Sequence, residues 1–131
     1  MFSETFNPRF SETDALGHIN NTTIPVWFEQ GRTPIFQFFT PNLDPKNWKL
    51  IIARIEVDFK AEIFLNAPVT IKTGFEKIGN SSMTVKQQVW QHDKLCAEGR
   101  TALIHFDWTA KKPKAIPADI RLQLEPYLIT E

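Results

Sequence analysis

Between residues 51 and 60 the chain has a period of two. Ile51, Ala53, Ile55, Val57 and Phe59 alternate with Arg54, Glu56, Asp58 and Lys60. That spacing puts the two sets on opposite faces of a strand, so residues 51–60 are expected to form a half-buried strand with the first set inward. Further strands are predicted over 69–77, 83–91 and 95–108. The segments between them, Ile78-Gly79-Asn80-Ser81 and His92-Asp93-Lys94, are short and rich in turn formers, which predicts an antiparallel meander. An earlier strand is expected over 5–12, with Phe6, Pro8 and Phe10 on one side. Pro8 has no N–H to give a neighbouring strand.

The period changes once. Ile24, Trp27, Phe28, Gly31, Ile35, Phe38 and Phe39 fall on one stripe at 100° per residue, with Glu29, Gln30, Thr33 and Gln37 away from it. This predicts one long helix over 22–39, capped within Asn20-Asn21-Thr22-Thr23. Gly31 lies in the apolar stripe, where glycine costs about 1 kcal/mol of helix propensity, so a close approach to a sheet is expected there. Pro34 cannot bond the Gln30 carbonyl and should bend the helix. The result is an α+β domain over 1–131 with about five antiparallel strands and one long helix. One helix covers only one face of such a sheet, so the other must be polar or meet a partner; oligomerisation is expected.

Composition narrows the function classes. Formal net charge is zero, and no basic footprint for nucleic acid is present. The densest basic cluster, Lys111-Lys112-Pro113-Lys114, is a candidate contact for a ligand carrying a few phosphates. Cys96 is the single cysteine, so no internal disulfide forms, which fits a reducing cytoplasm. No signal-peptide pattern and no membrane-spanning apolar run is visible. Nucleophile-elbow and phosphate-loop motifs are missing, and three scattered histidines with one cysteine argue against a structural zinc site.

The chemistry-bearing segment is Asp14-Ala15-Leu16-Gly17-His18-Ile19-Asn20-Asn21. It sets a carboxylate just ahead of a helix whose first N–H groups lack partners. Such N–H groups polarise a carbonyl and hold an oxyanion, and a nearby carboxylate attacks that carbonyl or activates water toward it. Residue types alone favour a plainer reading, in which Asp14 caps a turn and Asn20 and Asn21 cap the helix.

Phe10-Ser11-Glu12-Thr13-Asp14-Ala15-Leu16-Gly17-His18-Ile19-Asn20-Asn21, followed by Phe28-Glu29-Gln30-Gly31-Arg32, resembles the signature of the 4-hydroxybenzoyl-CoA thioesterase family: an Asp, a short gap, Gly-His-Val-Asn-Asn, then Glu-x-x-Arg. Val57-Asp58-Phe59, Gly79-Asn80-Ser81-Ser82 and Lys112-Pro113 through Ile116-Pro117 are similar to later landmarks of that family. The resemblance implies a hot-dog fold, a curved antiparallel sheet wrapped around a long central helix. It implies a homodimer or homotetramer with sites at the subunit interface. The implied activity is hydrolysis of acyl thioesters of coenzyme A, or of acyl carrier protein, without metal or organic cofactor. Position by position, Asp14 matches the catalytic aspartate, as nucleophile or general base, and Asn21 the backbone N–H that polarises the thioester carbonyl. His18 and Asn20 match loop-shaping positions with candidate substrate contact, and Ser81 and Ser82 match the pantetheine path. Glu29 and Arg32 match the helix pair; three apart, they are spaced to form an ion pair, in a structural or interface role rather than in catalysis. Two alternatives accompany this reading: a hot-dog dehydratase or hydratase built on His18, and a non-catalytic acyl-CoA binding module.

Overall fold

The computed structural model describes residues 1–129. Five strands, β1 (Phe2–Phe6), β2 (Leu50–Phe59), β3 (Val69–Ile78), β4 (Ser82–Gln91) and β5 (Lys94–Asp107), form one antiparallel sheet in the order β1-β3-β4-β5-β2. A two-residue strand, β6 (Lys112–Pro113), pairs with the end of β5. The meander expected for β3-β4-β5 is present, and β2 and β1 are the sheet's two outer strands.

The first strand differs from expectation. It covers Phe2–Phe6, and the chain leaves the sheet before Pro8, turning through a 3-10 segment at Phe10–Glu12. Pro8 cannot donate to β3 and is buried beside the sheet instead, while Phe10 points into solvent.

β2 keeps the alternation only in part. Leu50 and Ile52 pair with His105 and Leu103, whereas Ile55, Val57 and Phe59 pair with Thr101, Gly99 and Ala97. Those five share the inner face. A bulge between Ile52 and Arg54 takes up Ala53 as an extra residue and shifts the parity. Ile51 and Ala53 are therefore off the inward set, and Leu50 and Ile52 are on it. The inward set is also not buried as expected: Ile55 and Phe59 are 47% and 55% exposed. β2 lies at the sheet edge: Leu50 and, in part, Val57 pack into the core beneath the helices, while Ile52, Ile55 and Phe59 stay exposed.

The expected long helix is two short ones, α1 (Thr23–Gly31) and α2 (Thr33–Phe39). Between them Arg32 sits at φ −84°, ψ −3°, and its N–H is shared between the carbonyls of Phe28 and Glu29. Pro34 supplies no N–H for the Gln30 carbonyl, so the ladder breaks just where the proline ring would crowd it. A third helix, α3 (Ala118–Leu124), packs on α2 near the C-terminus and has no counterpart in the sequence reading.

Gly31 does allow close approach. A Cβ there would lie 2.9 Å from Gln87 Nε2 and 3.0 Å from Ile71 Cγ2. Beneath it runs a buried polar layer. Gln87 Nε2 donates to the Phe28 carbonyl (2.8 Å) and to Thr73 Oγ1 (3.0 Å). Arg32 Nη1 donates to Gln87 Oε1 (3.1 Å) and Thr101 Oγ1 (3.2 Å). The layer divides the core into two apolar clusters. One gathers Ile24, Trp27, Phe28, Ile71 and Val89 under α1; the other gathers Ile35, Phe39, Phe75, Leu103 and Leu124 under α2 and α3.

The outer face of the sheet is polar. Arg100 bonds Glu76 at 2.9 Å, and Lys86 and Arg100 approach Glu98 at 3.9 and 3.6 Å. The hydrogen bond to Glu76 raises the Arg100 pKa. This charged face suits water, so the surface left unmet lies at β2.

Gln87→Leu tests the layer. It removes the side-chain donor to the Phe28 carbonyl and one of the two acceptors of the buried Arg32 guanidinium. The expected loss is about 3 kcal/mol, read as a lower urea midpoint with an unchanged slope.

Candidate functional site

The segment from Glu12 to Asn20 is a closed loop. Asp14 N–H donates to the His18 carbonyl (2.8 Å), Asn20 N–H to the Glu12 carbonyl (2.8 Å) and Ile19 N–H to the Ile63 carbonyl (2.7 Å). Gly17 makes the turn at φ +80°, with nothing within 4 Å of a would-be Cβ; its backbone angle, not crowding, calls for glycine.

Asp14 uses its two oxygens differently. Oδ1 accepts from the N–H of Leu16 (2.8 Å) and of His18 (3.2 Å). Oδ2 faces the His18 ring, 4.0 Å from Nδ1. The turn cap expected from residue types and an available carboxylate oxygen thus coexist in one side chain. His18 Nε2 lies 3.4 Å from Glu62 Oε2, and its ring packs edge-on against Phe64. The Asn20 amide oxygen is taken by the N–H and hydroxyl of Thr22, at 3.0 and 2.9 Å. Asn20 therefore shapes the helix entrance. Among the described residues no group accepts the Asn21 N–H.

Asp14, His18, Asn20 and Asn21 line one cleft of about 630 Å³ together with Phe59, Lys60 and Glu62. The cleft thus brings the Asp14 loop and the residues just ahead of α1 to one volume with Ile19, Ile24 and Phe59. Ser81 and Ser82 are elsewhere. Ser82 pairs with Ile104 while Phe59 pairs with Ala97, and seven residues of strand put about 23 Å between those positions. Lys112 pairs with Asp107, so the lysine cluster sits at the same distant end. There the N–H groups of Ala110 and Thr109 hold the Asp107 carboxyl below its ordinary pKa.

Glu29 and Arg32 do not pair. Arg32 turns inward to Gln87 and Thr101 and is 2% exposed, and burial pulls its pKa below the ordinary guanidinium value. Glu29 is left on the rim of a second cleft of about 430 Å³ with Phe36, Trp48 and Ile52. Sequence reasoning missed Phe59, Lys60 and Glu62 as cleft residues. Their signal was the end of the β2 alternation, where the strand runs out beside the Asp14 loop. Cys96 is buried as expected, and its burial raises the thiol pKa. Among the described residues no group of three or more His, Cys, Asp or Glu is arranged to hold a metal ion, and no helix is long and apolar enough to cross a membrane.

The fold and sequence match known proteins. A predicted thioesterase from Bacillus stearothermophilus is 44% identical with a TM-score of 0.95, covering 99% of this chain and 98% of that one. A thioesterase from Thermus thermophilus, complexed with coenzyme A and Zn, is 26% identical with a TM-score of 0.84, over 95% and 92% of the two chains. The uncharacterized protein YsmA of Bacillus subtilis strain 168 is 29% identical over 84 residues, 64% of this chain, and the match spans 57% of that relative's length. The curled antiparallel sheet with its helices is the hot-dog-type fold of these thioesterase neighbours. The model of the thioesterase-like superfamily matches residues 8–124, and the chain belongs to that superfamily.

Proposed function

We propose that this protein hydrolyses acyl thioesters of coenzyme A to the free acid and coenzyme A, in the manner of the 4-hydroxybenzoyl-CoA thioesterases its motifs resemble. The observation that carries the reading is that Asp14 and Asn21, whose N–H has no acceptor among the described residues, line one cleft. Family membership and the coenzyme A bound to the Thermus thermophilus neighbour support the substrate class.

The thioester carbonyl oxygen accepts from the Asn21 N–H, in the turn that leads into α1, where developing negative charge is stabilised without reorganisation. Asp14 Oδ1 stays bonded to the Leu16 and His18 N–H groups, which keeps the carboxylate oriented while Oδ2 acts. As a nucleophile, Oδ2 attacks the carbonyl carbon, expels the thiolate and leaves an anhydride that water opens. As a general base, it takes a proton from the attacking water, and the C–S bond breaks on collapse. A single turnover in ¹⁸O-water separates the two, since only the anhydride route can place label in the Asp14 side chain.

The active unit is a dimer formed through β2. Its outer edge has no strand partner among the described residues, and Ile52, Ile55 and Phe59 are exposed on the inner face. Phe59 also lines the Asp14 cleft. A second copy running antiparallel along β2 carries its Ser81, Ser82 and lysine cluster toward the Asp14 end of the first. This unites motif residues that one protomer holds about 23 Å apart, and it accounts for an apolar edge that would otherwise invite aggregation.

Three results are expected. Asp14→Asn should lower kcat by about 10²–10⁴ across a panel of acyl-CoAs followed by thiol release, with the urea midpoint little changed. Undiminished turnover would refute the mechanism. Ile55→Lys should leave a folded monomer by sedimentation with little residual turnover. Charge reversal of Lys111, Lys112 and Lys114 together should raise KM for acyl-CoA about tenfold at low salt, with a smaller effect as salt screens the contact.

A further inference from the structure

Glu12 precedes the Asp14 loop, and nothing in the proposed chemistry uses it. Its side chain is only 10% exposed. Oε2 accepts from the Trp27 indole N–H at 2.8 Å, and Oε1 accepts from the Arg9 backbone N–H at 2.7 Å. The Arg9 guanidinium stands 3.5 Å away at the solvent side. The Glu12 backbone carbonyl accepts from the Asn20 N–H at 2.8 Å and the Thr23 hydroxyl at 3.4 Å. Trp27 is itself 2% exposed and packs edge-on against Phe6 of β1.

One residue thus ties four parts of the molecule. Its carboxylate holds the second turn of α1 and the chain entering the loop, and its carbonyl holds the last residue of the loop and the first residue of α1. Asp14 lies two residues later and Asn21 one residue past Asn20. The separation between the carboxylate and the helix N–H is therefore set through Glu12. Acyl transfer tolerates only about 0.5 Å of error in that separation, and a displacement of about 1 Å costs on the order of 10²-fold in rate.

We propose that Glu12 is a positioning residue that clamps the Asp14 loop to α1 through the Trp27 indole, fixing the distance between the carboxylate and the oxyanion-binding N–H. This rests on the thioesterase reading above. A carboxylate suits the task because it accepts two N–H donors at once. A glutamine that keeps its amide oxygen on the Arg9 N–H sets its NH₂ against the indole N–H and so loses the Trp27 contact.

The test uses Glu12→Gln and Trp27→Phe, the second removing the indole donor while keeping an aromatic ring. Each should lower kcat about 10- to 100-fold with KM for acyl-CoA within about twofold. The double variant should lose no more than either alone, because both break one contact. Leu124→Ala, in the apolar cluster under α2 and α3, serves as a control of equal or greater stability loss and should keep kcat. A second readout needs no turnover: amide exchange of segment 13–20 should quicken in Glu12→Gln, while β4 and β5 keep their protection. Unchanged kcat in Glu12→Gln, additive losses in the double variant, or unchanged exchange of segment 13–20 would each overturn the clamp. If the wild-type chain cleaves no thioester, the thioesterase reading fails, and the exchange experiment still decides whether Glu12 holds the loop.

Discussion

The structure turns on how close α1 can come to the sheet, and that distance is set where Gly31 meets Gln87. With no Cβ in the way, the Gln87 amide reaches the Phe28 carbonyl and the helix lies directly on β3 and β4. The donors and acceptors of Gln87, Thr73, Thr101 and Arg32 match in one rotation and one height of the helix. Two hydrogen bonds to a charged group return about 1.5–3 kcal/mol each, against several kcal/mol for removing the guanidinium from water. Arg32 Nε finds no partner among the described residues, so the layer adds little net stability. Its effect is orientation. The apolar clusters on either side are greasy and adaptable, and the polar seam between them sets the helix's position.

Orientation at Gly31 is felt two turns away at the start of α1. Phe28 and Trp27 are held by the seam on one side and by β1 and β3 on the other, so the N-terminus of α1 cannot slide along the sheet. The Asp14 loop is then hung from fixed points, the Glu12 carbonyl, the Ile63 carbonyl and the Trp27 indole. A site on a loop gains precision because the loop's backbone is bonded at several points to α1 and to the connection between β2 and β3.

Much of this was legible in local pattern. The meander strands follow from period-two runs separated by turn formers, and the close approach at Gly31 follows from a glycine on an apolar stripe. What failed to show were features that depend on partners distant in sequence. Pro34 showed that the helix bends, but the inward turn of the Arg32 side chain depends on Gln87 and Thr101, 55 and 69 residues away. An i,i+3 spacing with Glu29 looks like an ion pair until a buried acceptor competes for it. The bulge at Ala53 is silent because alanine fits either face, so the alternation through it could not reveal that parity had shifted. Asp14, His18, Asn20 and Asn21 were readable as a group because they are contiguous. Ser81 and Ser82 were readable only by motif, and no sequence argument said that one protomer would hold them at the opposite end of the sheet.

The edge strand carries its own constraint on how two copies would meet. Opposite residues in an antiparallel pair share a face, and opposite charges there attract while like charges repel. Past the bulge, the outer face of β2 reads Arg54, Glu56 and Asp58, with Lys60 next after the strand. Centring the two-fold on Ile55 sets Arg54 against Glu56 of the second copy twice over, with no like pair, and places Ile55 against itself on the inner face. Centring it on Glu56 sets Arg54 against Asp58 twice but opposes two glutamates at the axis. Centring it on Arg54 opposes two arginines, and on Val57 it sets Arg54 against Lys60 and Glu56 against Asp58. The bulge at Ala53 makes this the more selective, since a slip of one residue would turn apolar side chains to the charged face. A sequence that leaves Ile52, Ile55 and Phe59 uncovered in the monomer thus also favours one register for covering them, the one centred on Ile55.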